Sequence, residues 1–190
     1  MALPEKEILA KLGPLAGLAG TWEGAEGIDE APAADRGLLT TPYRERAVFV
    51  PMGPVDNHEQ QLFGLRYSMN AWRLAEADPF HEELGYWLWD AAAGQVMRCF
   101  LVPRGVTILA GGRATASDRK FKMEAVVGSE VFGIASNPFL DLEFKTVRYE
   151  LEIELEGSDQ FRHAEDTQLL LKGRSEVFHH RDSNTLKRIR

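Results

Sequence analysis

The chain has 190 residues with a formal net charge of -7, and 27% of its residues are charged. This length suits one domain with a substantial core, so we predict a single domain over residues 1–190. The acidic balance offers no basic surface to nucleic acid or an anionic membrane, which leaves small molecules and proteins as the expected partners. One cysteine, Cys99, excludes an internal disulfide. Since neither a secretory signal nor a transmembrane-length apolar window occurs, we expect the cytoplasm.

The N-terminal segment predicts a helical plug. Residues 4–19 indicate one short helix or two helical turns, because Pro4 lies near the start while Gly13 and Pro14 interrupt the pattern. Apolar residues recur at helical spacing at Ile8, Leu12, Leu15 and Leu18. We expect this stripe to cap or plug one end of a sheet structure.

About ten strand-like segments follow, with short connections between them. A first strand opens at Gly20, and residues 27–41 predict a long loop because they are rich in Pro, Ala, Asp and Gly. A turn is expected at residues 51–54, and an irregular crossing with one helical turn at residues 128–141. The other strands are predicted at residues 43–50, 61–72, 83–89, 95–102, 106–110, 121–127, 144–155, 160–171, 176–180 and 185–189.

Alternation along these segments predicts a closed all-β fold. Apolar residues alternate with Arg148, Glu150, Glu152 and Glu154 over residues 144–155. Trp87 and Trp89 share one face of their segment, which indicates a curved sheet around an apolar interior. Closure is the common way to remove exposed edges from short antiparallel strands. We therefore predict one antiparallel β-barrel of about ten strands with a short N-terminal helix.

Motifs spread along nearly the whole chain resemble the nitrobindin family, whose members are fatty-acid-binding-protein-like, lipocalin-like barrels that hold haem b. They are Gly20-x-Trp22-x-Gly24 after a short helix, His81-x-Glu83-x-Gly85-Tyr86-Trp87, Gly94, Gly105, Gly112 and a histidine about ten residues from the end. The resemblance implies a ferric haem in the open mouth of a ten-stranded barrel, bound through one histidine. It also implies reactivity towards nitric oxide and peroxynitrite, through binding, sensing or scavenging. Whether the protein isomerises peroxynitrite as an enzyme stays open.

The chain departs from the family pattern in two places. Glu26 stands where a third glycine is expected after Gly24, and Gly27 follows it. The C-terminal pattern His-Leu-x-Ala is replaced by residues 180–186, His-Arg-Asp-Ser-Asn-Thr-Leu. Because the long loop predicted at residues 27–41 follows Glu26, we expect the rim of this barrel to differ from that of the family.

Two adjacent histidines compete for the role of iron ligand. On a strand only one of His179 and His180 can face inward. Without the resemblance, both would be taken as surface residues, because charged residues surround them. The pattern alone leaves the choice open, whereas distance from the C-terminus and the family pattern favour His180 as the metal ligand.

Four further residues align with positions that line the haem cavity in the family. Phe80 and His81 match the cavity residues around the His-x-Glu-x-Gly motif, although His81 follows Asp78 and Pro79 and could equally be a loop histidine. Val102 and Leu170 also align with cavity positions, and both are apolar enough to be core residues. His58 and His163 show no ligand-like spacing, so we expect them to be structural or exposed.

A second class of function is a metal-free carrier or sensor of a small apolar ligand such as a fatty acid. A carboxylate ligand would need an inward arginine, and only Arg66 and Arg98 lie within apolar strands. Glu82 and Glu83 are adjacent and should face opposite sides of a strand. We therefore predict that they are charged residues at the edge of the sheet and not an acid–base pair. Pairing of two barrels into a homodimer stays open.

Overall fold

A single antiparallel sheet closes on itself to form the barrel. The computed structural model describes residues 3–189. Its strands are β1 (Gly20–Pro32), β2 (Leu38–Asp56), β3 (Gln61–Arg73), β4 (His81–Asp90), β5 (Gln95–Val102), β6 (Val106–Arg113), β7 (Lys120–Val126), β8 (Ile134–Ser136), β9 (Phe144–Glu156), β10 (Gln160–Leu171) and β11 (Val177–Ile189). The order is β5-β4-β3-β2-β1-β11-β10-β9-β7-β6, and β6 pairs again with β5. The predicted closed ten-stranded barrel is confirmed, with β8 as a short addition to β6.

The N-terminal segment plugs one end of this barrel. It forms α1 (Glu5–Leu9) and a 3-10 helix (Gly13–Leu18), as the interrupted pattern predicted. Leu12, Leu15 and Leu18 are fully buried in the main core. The indole Nε1 of Trp22 donates a hydrogen bond to the Leu18 carbonyl at 2.7 Å, which ties the plug to β1. We call this the closed end.

The opposite end, which we call the open end, is where β5 and β10 finish and where β4 and β11 begin. It also carries the tip of the β1–β2 hairpin. There Arg36 donates hydrogen bonds to the Glu143 carbonyl at 3.2 Å and the Lys172 carbonyl at 2.8 Å, and pairs with the Glu143 carboxylate at 2.6 Å. These contacts fasten the hairpin to Glu143, the residue that precedes β9, and to the β10–β11 turn. The rim at this end therefore includes a strap made by the hairpin.

The prediction of a loop over residues 27–41 is wrong. Residues 27–32 of β1 pair with residues 38–43 of β2, which leaves only residues 33–37 as a turn. Part of this segment of β1 pairs with β11 as well, from Ile28 to Glu30. Pairing on both sides supplies the backbone hydrogen bonds that the segment's loop-like composition alone would not predict.

A β-bulge between Gly24 and Gly27 accounts for the departure from the family's glycine pattern. Without the bulge, strict alternation from Trp22 would turn Glu26 inward. The extra residue of the bulge turns Gly27 and Asp29 inward instead. A Cβ on Gly27 would lie 2.5 Å from the ring of Tyr43, so only glycine fits there. The glycine expected at position 26 therefore stands at 27.

Two predicted interruptions are also wrong. β11 is continuous across residues 181–184, and β2 continues through the turn expected at residues 51–54, with a bulge between Met52 and Val55. In β11, Asp182 and Asn184 face a polar interior, so their polarity marks an inner face and not a loop.

The expected helical turn is α2 (Pro138–Glu143). No helix within residues 3–189 has both the length and the apolar character needed to cross a membrane.

Candidate functional site at the open end

The residues predicted to line the site lie at the same end of the barrel. Phe80 and His81 stand at the start of β4, Val102 ends β5, and Leu170 and His180 flank the β10–β11 turn. Phe80 packs edge-on against the Tyr43 ring at 6.2 Å between centroids. Val102 packs against the core from the inner face. The antiparallel topology thus brings four of the five to one inner rim.

Leu170 is the exception, because it faces outward. Its exposed fraction is 38%, whereas that of Leu169 is 7%. Leu170 lies opposite Val177, which is exposed as well, while Leu169 lies opposite Phe178, on the same side of β11 as His180. Leu169 therefore takes the inner position that the family alignment gave to Leu170.

His180 faces the interior and His179 does not. His180 Nε2 lies 2.7 Å from Asp29 Oδ1, and its other ring nitrogen makes no hydrogen bond within residues 3–189. Burial alone would lower the pKa of His180, but the hydrogen bond and charge of Asp29 outweigh it and raise the pKa. The side chain stays 33% exposed, so it can be reached from the open end. His179 pairs with Asp166 on the outer face at 2.7 Å.

His81 is the second histidine at this rim. Its Nε2 lies 3.2 Å from Glu83 Oε1, and its side chain is 34% exposed. Burial favours the neutral ring, but the hydrogen bond and charge of Glu83 raise its pKa to about 9. His81 is therefore a cation at neutral pH.

Below the rim lies a buried network centred on Arg98. Its guanidinium pairs with Glu83, donates to Tyr149, and reaches Glu165 Oε2 at 2.9 Å and Tyr67 OH at 3.1 Å. Glu83 is only 3% exposed, so the prediction that it decorates an edge is wrong. Burial opposes its ionisation, yet the Arg98 charge lowers the pKa of Glu83 to about 2. We call these five residues the central network.

A second polar cluster lies between the central network and β1. His163 Nε2 is 2.9 Å from Glu45 Oε2, and its Nδ1 is 3.5 Å from Asp182 Oδ1. Tyr43 donates to Asp182 at 3.3 Å, and Asn184 donates to Glu45 at 3.2 Å. Burial, followed by the charge of Glu165, raises the pKa of Asp182 to about 7. His163, although buried, has a pKa raised to about 9 by the surrounding carboxylates.

These contacts make the barrel interior acidic beneath an imidazole. Arg98 is the only arginine or lysine of the two clusters, whereas they contain four carboxylates, Glu45, Glu83, Glu165 and Asp182. Asp29, beside His180, adds a fifth carboxylate at the rim. Protonated histidines offset much of this negative charge. Such an interior can hold and exchange protons next to a ligand at the open end, and it disfavours an anion deep in the barrel.

Asp29, Glu45 and Asp182 were not among the predicted site residues, although the alternation of their strands indicates an inward position for Glu45 and Asp182. Glu45 shares its face with Tyr43 and Ala47, and Asp182 shares its face with Leu186. A polar residue on the apolar face of a strand could have been taken as an inward residue with a buried partner. Asp29 could not be found this way, because the bulge reverses the alternation before it.

Comparisons with known proteins identify the family of the chain. A family model described as "THAP4-like, heme-binding beta-barrel domain" matches residues 11–188. Among solved structures, the crystal structure of Rv2717c from M. tuberculosis is similar over 100% of both chains, with a TM-score of 0.66 and 20% sequence identity, a likeness of fold. A search of curated proteins found no match. The chain therefore belongs to the THAP4-like, haem-binding β-barrel domain family, the nitrobindin-like family that its motifs resemble, and this membership supports haem as its cofactor.

Proposed function

We propose that His180 binds the iron of a ferric haem b at the open end, and that the loaded protein reacts with nitric oxide or peroxynitrite. The observation that carries this proposal is the arrangement of the His180 ring. Asp29 fixes one nitrogen at 2.7 Å, and the other is unengaged at a rim open to solvent. A carboxylate on the second nitrogen of a metal-binding histidine orients the ring and raises its basicity.

The residues at the open end fit haem in polarity as well as in donor type. A macrocycle needs apolar contacts around one axial base. Partly buried apolar side chains that pack on the core supply them from β3, β5 and β6, at Met69, Val102 and Val106. The positive charge of His81 at the same rim suits the carboxylates that haem carries.

Haem held by His180 would supply a redox centre able to react with nitric oxide or peroxynitrite. The chain contributes the setting for that chemistry. His180 would bind the iron, and Asp29 would keep the proton on the opposite ring nitrogen. The central network closes the barrel beneath the site and holds its charges in buried pairs. We propose binding and scavenging as the activity, with isomerisation of peroxynitrite as its catalytic form, in the cytoplasm.

The metal-free carrier of a fatty acid is less well supported by the interior. Arg98 does face inward, which is the condition such a carrier would need, whereas Arg66 is exposed. However, Arg98 is already paired with Glu83 and Glu165. A fatty-acid carboxylate would have to displace one of these carboxylates and would meet Asp182 nearby, so repulsion opposes its entry.

An optical titration tests this function. Purified apoprotein is titrated with haemin, and the loaded protein is then exposed to nitric oxide and, separately, to peroxynitrite. We expect saturable uptake with one haem per chain, a shift of the Soret band with nitric oxide, and faster peroxynitrite decay than with free haemin. Failure to take up haemin, together with saturable binding of a fluorescent fatty acid, would establish the carrier instead.

A further inference from the structure

The strap of the β1–β2 hairpin crosses one side of the open end. It consists of residues 31–39, with its turn at residues 33–37. The strand order on this side is β1-β11-β10-β9, so the strap passes β11 and β10 before it reaches its contacts with Glu143 and Lys172. At about 4.8 Å between neighbouring strands, this distance is about 14 Å of the rim.

The strap lies on the inner side of these strands. The Arg36 guanidinium is 4.9 Å from the centroid of the Phe144 ring. Phe144 lies opposite Leu171, which is buried and shares the inner face of β10 with Leu169. His180 is on β11, one of the two strands that the strap crosses. The strap therefore covers part of the entrance above His180.

A single side chain anchors the tip of the strap. Arg36 donates to two carbonyls of the far wall and pairs with the Glu143 carboxylate, and these two side chains are only 28% and 17% exposed. Lys172 pairs with the same carboxylate at 2.6 Å. No other side chain of residues 33–37 makes a hydrogen bond or ion pair outside the hairpin within residues 3–189. Asp35, for example, accepts from the Gly37 N–H of the same turn.

The strap can leave this anchor without disturbing the contact between Asp29 and His180. β1 pairs with β11 only as far as Glu30, which lies opposite Arg181. Asp29 belongs to this paired part, whereas beyond Glu30 the hairpin pairs only with itself among the described residues. Segments with few contacts outside themselves open at a lower free-energy cost than core strands. The strap therefore has a natural hinge after Glu30.

We propose that the strap is a latch, which opens when Arg36 releases Glu143 and so lets haem enter or leave. This inference rests on the proposed haem function and adds the control of haem exchange. Leu39 shares the inner face of β2 with Thr41 and Tyr43 but is 46% exposed, so the closed latch presents apolar surface over the site. Arg36 is a positioning residue, because its anchor adds to the barrier for entry and for loss alike.

Rates of haemin exchange test the latch. Arg36→Asn removes the anchor and keeps a residue type that tolerates the φ of +66° at this position. We expect stopped-flow uptake of haemin by the apoprotein, and loss of haemin to excess apomyoglobin, both to become at least about tenfold faster. The Kd for haemin should change less than about threefold, because the latch closes over the empty and the loaded site and opens only during exchange.

Arg174→Asn is the matched control. Arg174 is exposed on the β10–β11 turn, and its side chain makes no hydrogen bond or ion pair within the described part of the chain. It carries the same chemical change at the same end, so it should exchange haemin like wild type. Glu143→Gln weakens the anchor from the other side and should accelerate exchange in both directions. It replaces Arg36→Asn if that variant fails to fold by circular dichroism.

Hydrogen exchange in the apoprotein measures the latch without haem. The amides of residues 31–39 should exchange faster in Arg36→Asn than in wild type, whereas those of residues 28–30 should not change. If wild type takes up no haemin, the proposed function fails, and faster exchange confined to residues 31–39 would still support a latch at the open end. Equal hydrogen exchange in the two proteins overturns it.

Two kinetic results also overturn the latch. One is haemin exchange by Arg36→Asn at the rate of wild type or of Arg174→Asn. The other is faster loss of haemin without faster uptake, because the strap would then be part of the binding surface and not a gate.

Discussion

Replacing Arg98 with Met should be the most destabilising single change of a charged residue in the barrel. The substitution keeps an unbranched side chain of similar length and removes only the cation and its hydrogen bonds. Glu83 and Glu165, whose side chains are 3% and 15% exposed, then lose the positive charge that pairs with them. Removing one partner of a buried ion pair typically costs about 3–5 kcal/mol, because an uncompensated charge stays buried.

Arg46→Met is the matched control. Arg46 also lies on a strand and pairs with a glutamate, Glu23, at 2.6 Å, but both side chains are about half exposed. Exposed pairs contribute about 0.2–1 kcal/mol. Urea unfolding at neutral pH should therefore separate the two variants by several kcal/mol, out of a total stability of about 5–15 kcal/mol.

The pH dependence of this difference gives a second check. In wild type, burial opposes ionisation of Glu83, but Arg98 overcomes it and the pKa falls to about 2. Without Arg98, burial should raise the Glu83 pKa, so that the side chain takes up a proton as the solution is acidified. The difference in the free energy of unfolding between wild type and Arg98→Met should then become smaller towards pH 4. If Arg98→Met lowers the free energy of unfolding no more than Arg46→Met does, or if the difference from wild type grows in acid, Arg98 does not compensate the buried carboxylates.

Three other changes test the β1 bulge, the buried His163 and the Asp29–His180 pair. Gly27→Ala should cost about 1–3 kcal/mol in urea unfolding, because the new Cβ would lie 2.5 Å from the Tyr43 ring. His163, whose pKa is about 9 when folded and 6.5 by itself, stabilises the protein fully below pH 6.5, and this contribution is lost as the pH rises to about 9. Thermal melting should show that decline in wild type and a flatter profile in His163→Gln. Asp29→Asn should keep the fold and weaken haem binding about 10–100-fold, because it alters the hydrogen bond that orients His180.

Local patterns predicted the barrel well where alternation was unbroken. The stripe at Leu12, Leu15 and Leu18 predicted the plug, and the alternation around Tyr149 gave the inner face of β9 correctly. These features depend only on which side of an element is apolar. They can be predicted from the sequence because the apolar side of a helix or strand is determined by residues close together in the chain.

Features that depend on pairing between distant strands could not be recovered. Arg98 could be placed on the face opposite Cys99, but its partners are Glu83 from β4 and Glu165 from β10, which only closure of the barrel brings together. The family alignment was also off by one residue on β10, because the inner residue is Leu169 and not Leu170. Bulges and strand register are set by tertiary contacts, which residue composition does not contain. The composition of residues 27–41 therefore predicted a loop where β1 and β2 pair.

Paired haemin titrations of His180→Ala and His179→Ala test whether His180 holds haem at the open end. The two variants carry the same chemical change at adjacent positions, one on the inner face beside Asp29 and the other on the outer face beside Asp166. Both should fold like wild type by circular dichroism. We predict that His180→Ala loses most of its haemin affinity and regains the ligated spectrum when imidazole is added, while His179→Ala matches wild type. Normal haem binding by His180→Ala, or a loss confined to His179→Ala, would show that His180 is not the haem ligand.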